Sequence, residues 1–456
     1  MEERSIEHPQ TPNDEQKKVF RVGVSPSESN MKIGQARSHL YTYAFARSES
    51  EKGHDSTVIF RMDNSNRERH TRERAEAIYR FFSETLGLHF DVTPENAQET
   101  LGQSVYQSER QDIYQERLKE LFDKKVAFVD PESGLALFDI EAFINQYADV
   151  LEIDDLLRGR IKLQLENLLQ RGQKYFPLMR SDQSALYHLA SVVDDGSFGV
   201  THVVRGENKL SIAEYQEMVR TSLGLQPVKY LHTPMLLDTD GSVLKKGEVK
   251  FDDFIKRGVM PHTLISYMIS SGYGKPDEIY ASVDQFVAGF DYRNVHRTSG
   301  KFDPERLRHI NEQMVKMVTP EVFVDSLVLY CAKNNEMEVA ERIRQDQPLQ
   351  ELLLSYRRTP SETATFVKRI LTPTYDSVDE AHRHGIETTL RALGNAPGRI
   401  QGARETGLSQ QELFDSLRWI LVGTTPFSGI AKIANYLERQ GMLEERVRMA
   451  RTHFSS

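Results

Sequence analysis

The residues able to do chemistry in this chain are charged side chains set within or just beyond short apolar segments. Arg21 lies in Val19 to Val24 (VFRVGV), Asp63 follows Thr57 to Met62 (TVIFRM), and Arg205 closes Thr201 to Arg205 (THVVR). Lys245 and Lys246 follow the turn Asp240-Gly241. The planar fork of a guanidinium suits a carboxylate. A carboxylate suits an ammonium, and a lysine in a loop can neutralise phosphate charge. Gly34, at the head of a helical pattern, leaves a phosphate free to approach the helix N-terminus. Such a set would work by positioning and charge stabilisation. Each residue also has a plain structural reading. Arg21 would be a strand-end arginine, Asp63 a turn or helix-capping aspartate, Tyr187 a core tyrosine with a satisfied hydroxyl, and Lys245-Lys246 a solvated turn. An arginine that abruptly follows an apolar strand, as Arg205 does, is the hardest to explain structurally.

The elements that must hold these residues alternate. Val19 to Val24 and Thr57 to Met62 read as strands. Ile33 to Arg47 shows helical spacing, with Ile33, Ala36, Leu40, Tyr43 and Ala44 on one side. Arg67 to Leu86 reads as a second helix, with Ala75, Ile78, Tyr79 and Phe82 inward. Strand, helix, strand, helix is the signature of a parallel sheet with ligands at the strand ends. The stretch from about 111 to 177 is mixed and charged. Strand character returns at Ala185 to Val193, Thr201 to Arg205 and Lys229 to Leu237. A Rossmann-like sheet is therefore expected to be interrupted and resumed. From about 250 helical patterns dominate, with helix stops expected at Gly258, Pro304, Pro360 and Pro373.

Composition bounds the answer. At 456 residues the chain is too long for one core, and two to four domains are expected. Apolar residues make up 39% and charged residues 27%, an ordinary globular balance. The single cysteine, Cys331, supports neither a disulfide framework nor a cysteine-based zinc site, which fits a reducing cytoplasm. There is no uninterrupted apolar run of about 18 residues, so no membrane span is expected. Residues 1–18 are polar, carry Pro9 and Pro12, and read as a disordered tail rather than a signal peptide. A net charge of −9 argues against generic polyanion binding, yet leaves room for a folded RNA gripped by shape and local basic patches.

Five segments in order resemble the glutamyl-tRNA synthetase family, class I aminoacyl-tRNA synthetases. They are Arg21 to Arg37 (RVGVSPSESNMKIGQAR), Phe60 to Arg69 (FRMDNSNRER) with Tyr106 to Arg110 (YQSER), and Asp154 to Ile161 (DDLLRGRI). Met179 to Glu207 (with RSDQ, YHLASVVDD and THVVRGE) and Asp240 to Gly247 (DGSVLKKG) complete the set. Arg257 to Met268, Phe302 to Asn311 and Leu417 to Ile430 resemble the helical regions that follow. The family implies an α/β fold: a class I Rossmann-like catalytic domain with an inserted acceptor-binding subdomain, then mainly α-helical C-terminal domains. The implied boundaries are a tail at 1–18, catalytic halves at 19–110 and 178–249, and the insert at 111–177. A helical stem-contact domain at 250–315 and a helical anticodon-binding domain at 316–456 follow.

The resemblance also implies roles. Glutamate attacks ATP to form an adenylate, and the tRNA 3′ end then takes the acyl group. Arg21 and Tyr187 would sit at the substrate side-chain carboxylate, Ser25 and Asp63 at its ammonium, and Arg205 at its α-carboxylate. Ser191 stands where some relatives carry an asparagine near the substrate. Lys32, Gly34, Asn208, Leu236 and Lys246 would meet ATP, with Lys32, Lys245 and Lys246 serving the transition state. Arg357 and Arg358 would meet an anticodon base, and Arg67, Arg69, Arg72 and Arg74 either meet the acceptor strand or form a solvated helix face. ATP with Mg2+ and a glutamate-type tRNA are implied as partners, with glutamate or an analogue as substrate. A monomer is the family's default; a cytoplasmic protein without zinc or membrane is expected, the zinc-binding cysteines of some relatives being absent here.

Departures fall on the chemistry. Lys32 replaces the first histidine of the HIGH-type motif. The SPTG-like turn reads Ser25-Pro26-Ser27-Glu28, and the EDTD-like run reads Asp63-Asn64-Ser65-Asn66. The KMSKS-type loop, Val243-Leu244-Lys245-Lys246-Gly247, has lost its first lysine. Aspartate for glutamate at Asp63 removes one methylene, worth about 1–3 kcal/mol of discrimination. Three readings follow: an active ligase, a specialised paralogue serving resistance or biosynthesis, and a non-catalytic tRNA-binding regulator. Retention of Arg21, Tyr187 and Arg205 speaks against the last.

Overall fold

The computed structural model describes residues 17–26, 31–65, 71–242, 250–275, 277–375, 378, 380–393, 407–423 and 429–454. Lys245, Lys246, Arg67, Arg69, Ser27, Glu28 and most of the amino-terminal tail lie outside the described residues. The chain forms two compact units, Met1–Phe251 with Pro261–Leu307, and Asp252–Met260 with Arg308–Ser456.

The first unit is built on a six-stranded sheet. Its strands are β1 (Lys18–Val24), β2 (Ser56–Met62), β5 (Val150–Asp155), β6 (Gly159–Gln164), β8 (His202–Gly206) and β9 (Lys229–Thr233), in the order β2-β1-β8-β9-β5-β6. All neighbours are parallel except β5 and β6. Strands β3 (Ala127–Val129), β4 (Ala136–Asp139) and β7 (Tyr175–Met179) form a separate antiparallel sheet. Two short strands, β10 (Leu236–Leu237) and β11 (Gly300–Lys301), pair in parallel. The fold is α/β with a Rossmann-like sheet and a mainly helical C-terminal region. Part of the stretch between 111 and 177 joins the main sheet, since β5 lies beside β9.

Strand β1 is nearly continuous apolar sequence because the central strands of a parallel sheet are covered on both faces. Helix α1 (Ile33–Glu51) is covered more widely than one stripe of apolar residues suggests. Tyr41, Phe45 and Ala46 are buried as fully as Leu40 and Ala44. The Tyr41 hydroxyl donates to the Ile269 carbonyl at 2.8 Å, on the helix Pro261–Ser270. A helix buried on most sides loses its amphipathic pattern. The next helix, α2 (Arg72–Arg80), starts later than expected, at an N-cap where Thr71 accepts from the Arg74 amide, and passes into a wider turn at Phe81–Thr85.

Two expectations are corrected. Ala185 to Val193 is not a strand: Ala185 makes one isolated bridge with Met179, and a helix runs from Tyr187 to Ser197. Its apolar run buries Leu189, Ala190, Val192 and Val193, a pattern that fits a buried strand or a buried helix equally well. Pro304 and Pro360 start helices rather than stop them. Proline's fixed φ and missing N–H suit the first helical position. At Pro360 a capping box between Thr359 and Glu362 reinforces the start.

The second unit is mainly helical, with Pro320–Lys333, Met337–Gln345, Gln347–Leu354, Pro360–Leu371, Glu380–Ala392, Gln410–Val422, Ile430–Arg439 and Leu443–Phe454.

Candidate active site

In the main sheet β2 lies to one side of β1, while β8 and β9 lie to the other. The winding thus reverses between β1 and β8, and the crevice at the carboxyl ends of such strands is where open α/β sheets bind ligands. A cavity of about 360 Å³ occupies that place. Its lining includes Arg21 and Gly23 of β1, Lys32 to Gln35 and Arg37 at the head of α1, Asp63, Tyr187, Arg205, Asn208, and Thr233 to Leu236. Of the residues singled out in the sequence, Arg21, Lys32, Gly34, Asp63, Tyr187, Arg205, Asn208 and Leu236 therefore meet around one space. A second cavity of about 430 Å³ adjoins it, shares Gly23, Gln35, His39, Asp63, Tyr187 and Lys209, and adds Ser25, Ser65, Gln107 and Arg180.

Helix α1 opens toward the first cavity with its N-terminus. Its N-cap, Lys32, makes no side-chain cap, and the first turn holds no acidic residue. The unpaired amides and the helix dipole there favour an anion. A Cβ on Gly34 would meet no atom within 4 Å, so the space beside it is open.

Arg205 is held by a relay of hydrogen bonds that runs back to Asp155. Asp155 is buried; its Oδ1 accepts from the Leu157 and Arg158 amides at 3.0 and 2.9 Å, and its Oδ2 lies 2.7 Å from His232 Nδ1. An ionised carboxylate only accepts, so Nδ1 carries the proton and Nε2 is the acceptor. Arg205 Nε donates to that Nε2 at 3.0 Å, and Nη1 donates to Gln216 Oε1 at 2.6 Å. Burial lowers the pKa of His232, and the neighbouring Arg205 charge acts in the same direction, so the ring stays neutral. Nη2 of Arg205 is buried without a hydrogen-bond partner among the described residues. A buried, unpaired guanidinium N–H is costly, a carboxylate would satisfy it, and Arg205 is among the residues that line the cavity.

Arg21 is buried in β1, and its Nε donates to Asp195 Oδ1 at 3.2 Å. Tyr187 lines the same cavity as the two guanidiniums. Burial pushes its hydroxyl up, but Arg205, Arg21 and Lys209 together pull it below its usual value. The Lys209 ammonium stands 5.2 Å from the centre of its ring.

Asp63 does not stand alone. Arg61 Nε donates to Asp63 Oδ1 at 2.6 Å and Nη2 to Oδ2 at 3.2 Å. Arg61 Nη1 also donates to Asp195 Oδ1 at 2.7 Å. Burial alone would lower the Arg61 pKa, but Asp63, Asp195 and Asp194 hold it well above its usual value. Gly23 makes room for this clamp: a Cβ there would lie 3.0 Å from Asp63 Oδ2 and 3.1 Å from Arg61 Nη2.

The remaining residues singled out in the sequence fall elsewhere. Ser25 is exposed and lines the adjoining cavity. Ser191 is buried and accepts from Arg61 Nη2 at 3.2 Å, so it supports the clamp and lines neither cavity. Arg72 lies over the Tyr106 ring at 4.4 Å and pairs with Glu76 and Glu109. In the second unit Arg357 Nη1 donates to the Val318 carbonyl at 2.8 Å, and Arg358 is exposed.

Reading the sequence did not single out Arg61, His39, Arg37, Lys209, Asp155 or His232. An arginine inside the apolar run TVIFRM and a double aspartate ending YHLASVVDD were the available signals, because buried charges need partners. Arg37 Nη1 and Nη2 donate to the carbonyls of Ser271 and Pro234, so this arginine braces α1 against the cavity wall.

The profile for the catalytic domain of class I tRNA synthetases (E and Q) matches residues 21–137 and 140–309. The chain belongs to that family. Among relatives of the glutamyl branch, glutamate--tRNA ligase 1 of Alkalilimnicola ehrlichii is 27% identical over 339 residues, spanning 66% of this chain and 67% of that one. The glutamate--tRNA ligase of Clostridium novyi is 26% identical over 411 residues, 80% of each chain. The crystal structure of a glutamate-tRNA synthetase from Elizabethkingia anophelis superposes with a TM-score of 0.70 at 19% identity, covering 95% of this chain and 99% of that one. That likeness extends the shared fold of the glutamyl-tRNA synthetase family across both units' sequence.

Proposed function

We propose that this chain is an ATP-using ligase that activates glutamate or a close analogue and transfers it to the 3′ end of a tRNA. The observation that carries this is the meeting of Arg21, Tyr187 and Arg205, whose Nη2 is unpaired among the described residues, around one cavity beside the N-terminus of α1. Two guanidiniums at one small site suit a substrate with two carboxylates. The α-carboxylate, received by Arg205, attacks the α-phosphorus of ATP, and pyrophosphate leaves. The terminal ribose hydroxyl of the tRNA then attacks the acyl carbon, and AMP leaves. Lys32, Gly34, Asn208 and Leu236 would flank the nucleotide, with Lys245 and Lys246 supplying charge to the phosphates.

These residues do not fit a protein-held Mg2+. Asp63 is the one carboxylate among the described residues lining the first cavity, and Arg61 occupies both its oxygens. In this reading Mg2+ arrives on the triphosphate, as is usual for that ion.

We further read 111–177 as the acceptor-binding region and 316–456 as the anticodon-binding region, with Arg357 and Arg358 near an anticodon base. One observation favours a specialised paralogue as a second reading. The carboxylate meant for the substrate ammonium is short and already clamped by Arg61, so the ammonium corner differs in both space and charge. Pyrophosphate exchange over a panel of amino acids, with and without total tRNA, tests the proposal. Exchange with glutamate or one close analogue is expected. Exchange with none of them, under any tRNA, refutes it.

A further inference from the structure

We infer that His39 is a specificity-determining residue that contacts the amino-acid substrate between its anionic and cationic groups. This inference rests on the proposed glutamate-activating function. His39 belongs to α1, one turn beyond Gln35 and two beyond Lys32, on the side of the helix that faces the sheet edge. It lines both adjoining cavities. Its ring meets the edge of Phe82 at 5.4 Å and 79°, which fixes the plane of the imidazole.

Two features distinguish it from a histidine kept for packing. His232 and His296 commit ring nitrogens to fixed partners in the fold, at 2.7 Å and 2.9 Å. Neither ring nitrogen of His39 hydrogen-bonds to a described residue, and the half-buried ring opens on both cavities. Both nitrogens are therefore open to hydrogen bonds from a ligand in the cavities. The second feature is electrostatic: the charges that act on His39 are Arg21 and Asp63, the groups assigned to the two ends of the substrate. Burial, chiefly, holds its pKa down at about 4, so the imidazole is neutral.

A neutral imidazole has one donor and one acceptor. The donor serves a carboxylate that lies at Arg21. The acceptor serves an ammonium at Asp63, whose oxygens Arg61 already occupies. His39 thereby supplies a neutral acceptor at the corner where the short, clamped Asp63 offers least.

The test compares the full chain as wild type, His39→Ala and His39→Gln, by calorimetry with glutamate and separately with ATP, alongside thermal melting. Glutamine keeps one donor and one acceptor at similar reach. Two lost hydrogen bonds predict a glutamate Kd about tenfold weaker or more in H39A, restored to within about twofold in H39Q, with ATP affinity unchanged in both. Wild-type glutamate affinity in H39A overturns the inference and leaves the proposed function standing. Equal losses for glutamate and ATP in both variants, with a lowered melting point, assign His39 to packing and also overturn it. If wild type binds no glutamate and supports no exchange with any amino acid, the functional proposal falls and this inference with it.

Discussion

Asp155→Asn removes one charge and almost no volume, and the structure says what should follow. In the wild type Asp155 accepts four hydrogen bonds: two from the amides of Leu157 and Arg158, one from the His232 amide and one from His232 Nδ1. An asparagine that keeps its oxygen on Leu157 and Arg158 turns its NH2 toward His232. The ring then accepts at Nδ1 and carries its proton on Nε2, where it opposes the Arg205 Nε–H now donating across 3.0 Å. Two donors cannot share that contact, so Arg205 must shift. A hydrogen bond to a charged group contributes about 1.5–3 kcal/mol. If the shift costs Arg205 its grip on the α-carboxylate, glutamate binding weakens by about 10- to 150-fold. ATP affinity should change by less than about twofold, since the α1 N-terminus is untouched. Calorimetric titration with glutamate and with ATP separates these terms. The reasoning is refuted if D155N binds glutamate as the wild type does, even if it melts lower. Asp155 would then be structural alone.

Three further outcomes follow from the same geometry. Gly34→Val sets its Cβ where no atom lies within 4 Å, and should raise the KM for ATP at least about tenfold by filling the space at the helix N-terminus; an unchanged KM removes that end of α1 from the nucleotide site. Gly23→Ala should destabilise the fold by about 1–3 kcal/mol and weaken amino-acid binding, since its methyl would press on Asp63 and Arg61, and denaturant unfolding with binding assays checks both. Burial holds His39 and His188 near about 4, below their ordinary 6.5, so the unfolded chain takes up more protons between those values. Stability should therefore be full above about pH 6.5 and fall toward pH 4, with a shallower fall in a His39→Asn, His188→Asn double variant, measured by melting across that range.

How much of this was legible in the residues differs by element. Strands β1 and β2 were readable because their apolar runs are short and well separated, and α1 from the stripe Ile33, Ala36, Leu40, Tyr43 and Ala44, although the fold buries it more widely than that stripe. The helix Tyr187–Ser197 was not, because a run buried on most sides shows neither period. The residues that line the cavity were visible where a charge interrupts or follows an apolar strand, as at Arg21 and Arg205. Their supports were not: Arg61 reaches Asp195 across 134 positions and His232 reaches Asp155 across 77. Partners so distant in sequence are set by the order of strands in the sheet, which composition and spacing do not reveal. His39 was hidden for a related reason. Helical spacing showed where α1 runs, but which of its sides meets the carboxyl ends of β1 and β2 depends on packing across the sheet.

The central claim is that Arg21 and Arg205 receive the two carboxylates of one substrate in the cavity at the β1/β8 switch point. Calorimetry of a non-hydrolysable glutamyl-adenylate mimic against wild type, Arg21→Gln and Arg205→Gln tests it most directly. Tight binding to the wild type, weakened by about thirtyfold or more in each variant, is the predicted result, since truncating one partner of a buried charge pair costs about 2–5 kcal/mol. Failure of the mimic to bind wild type, or equal binding by all three proteins, contradicts it.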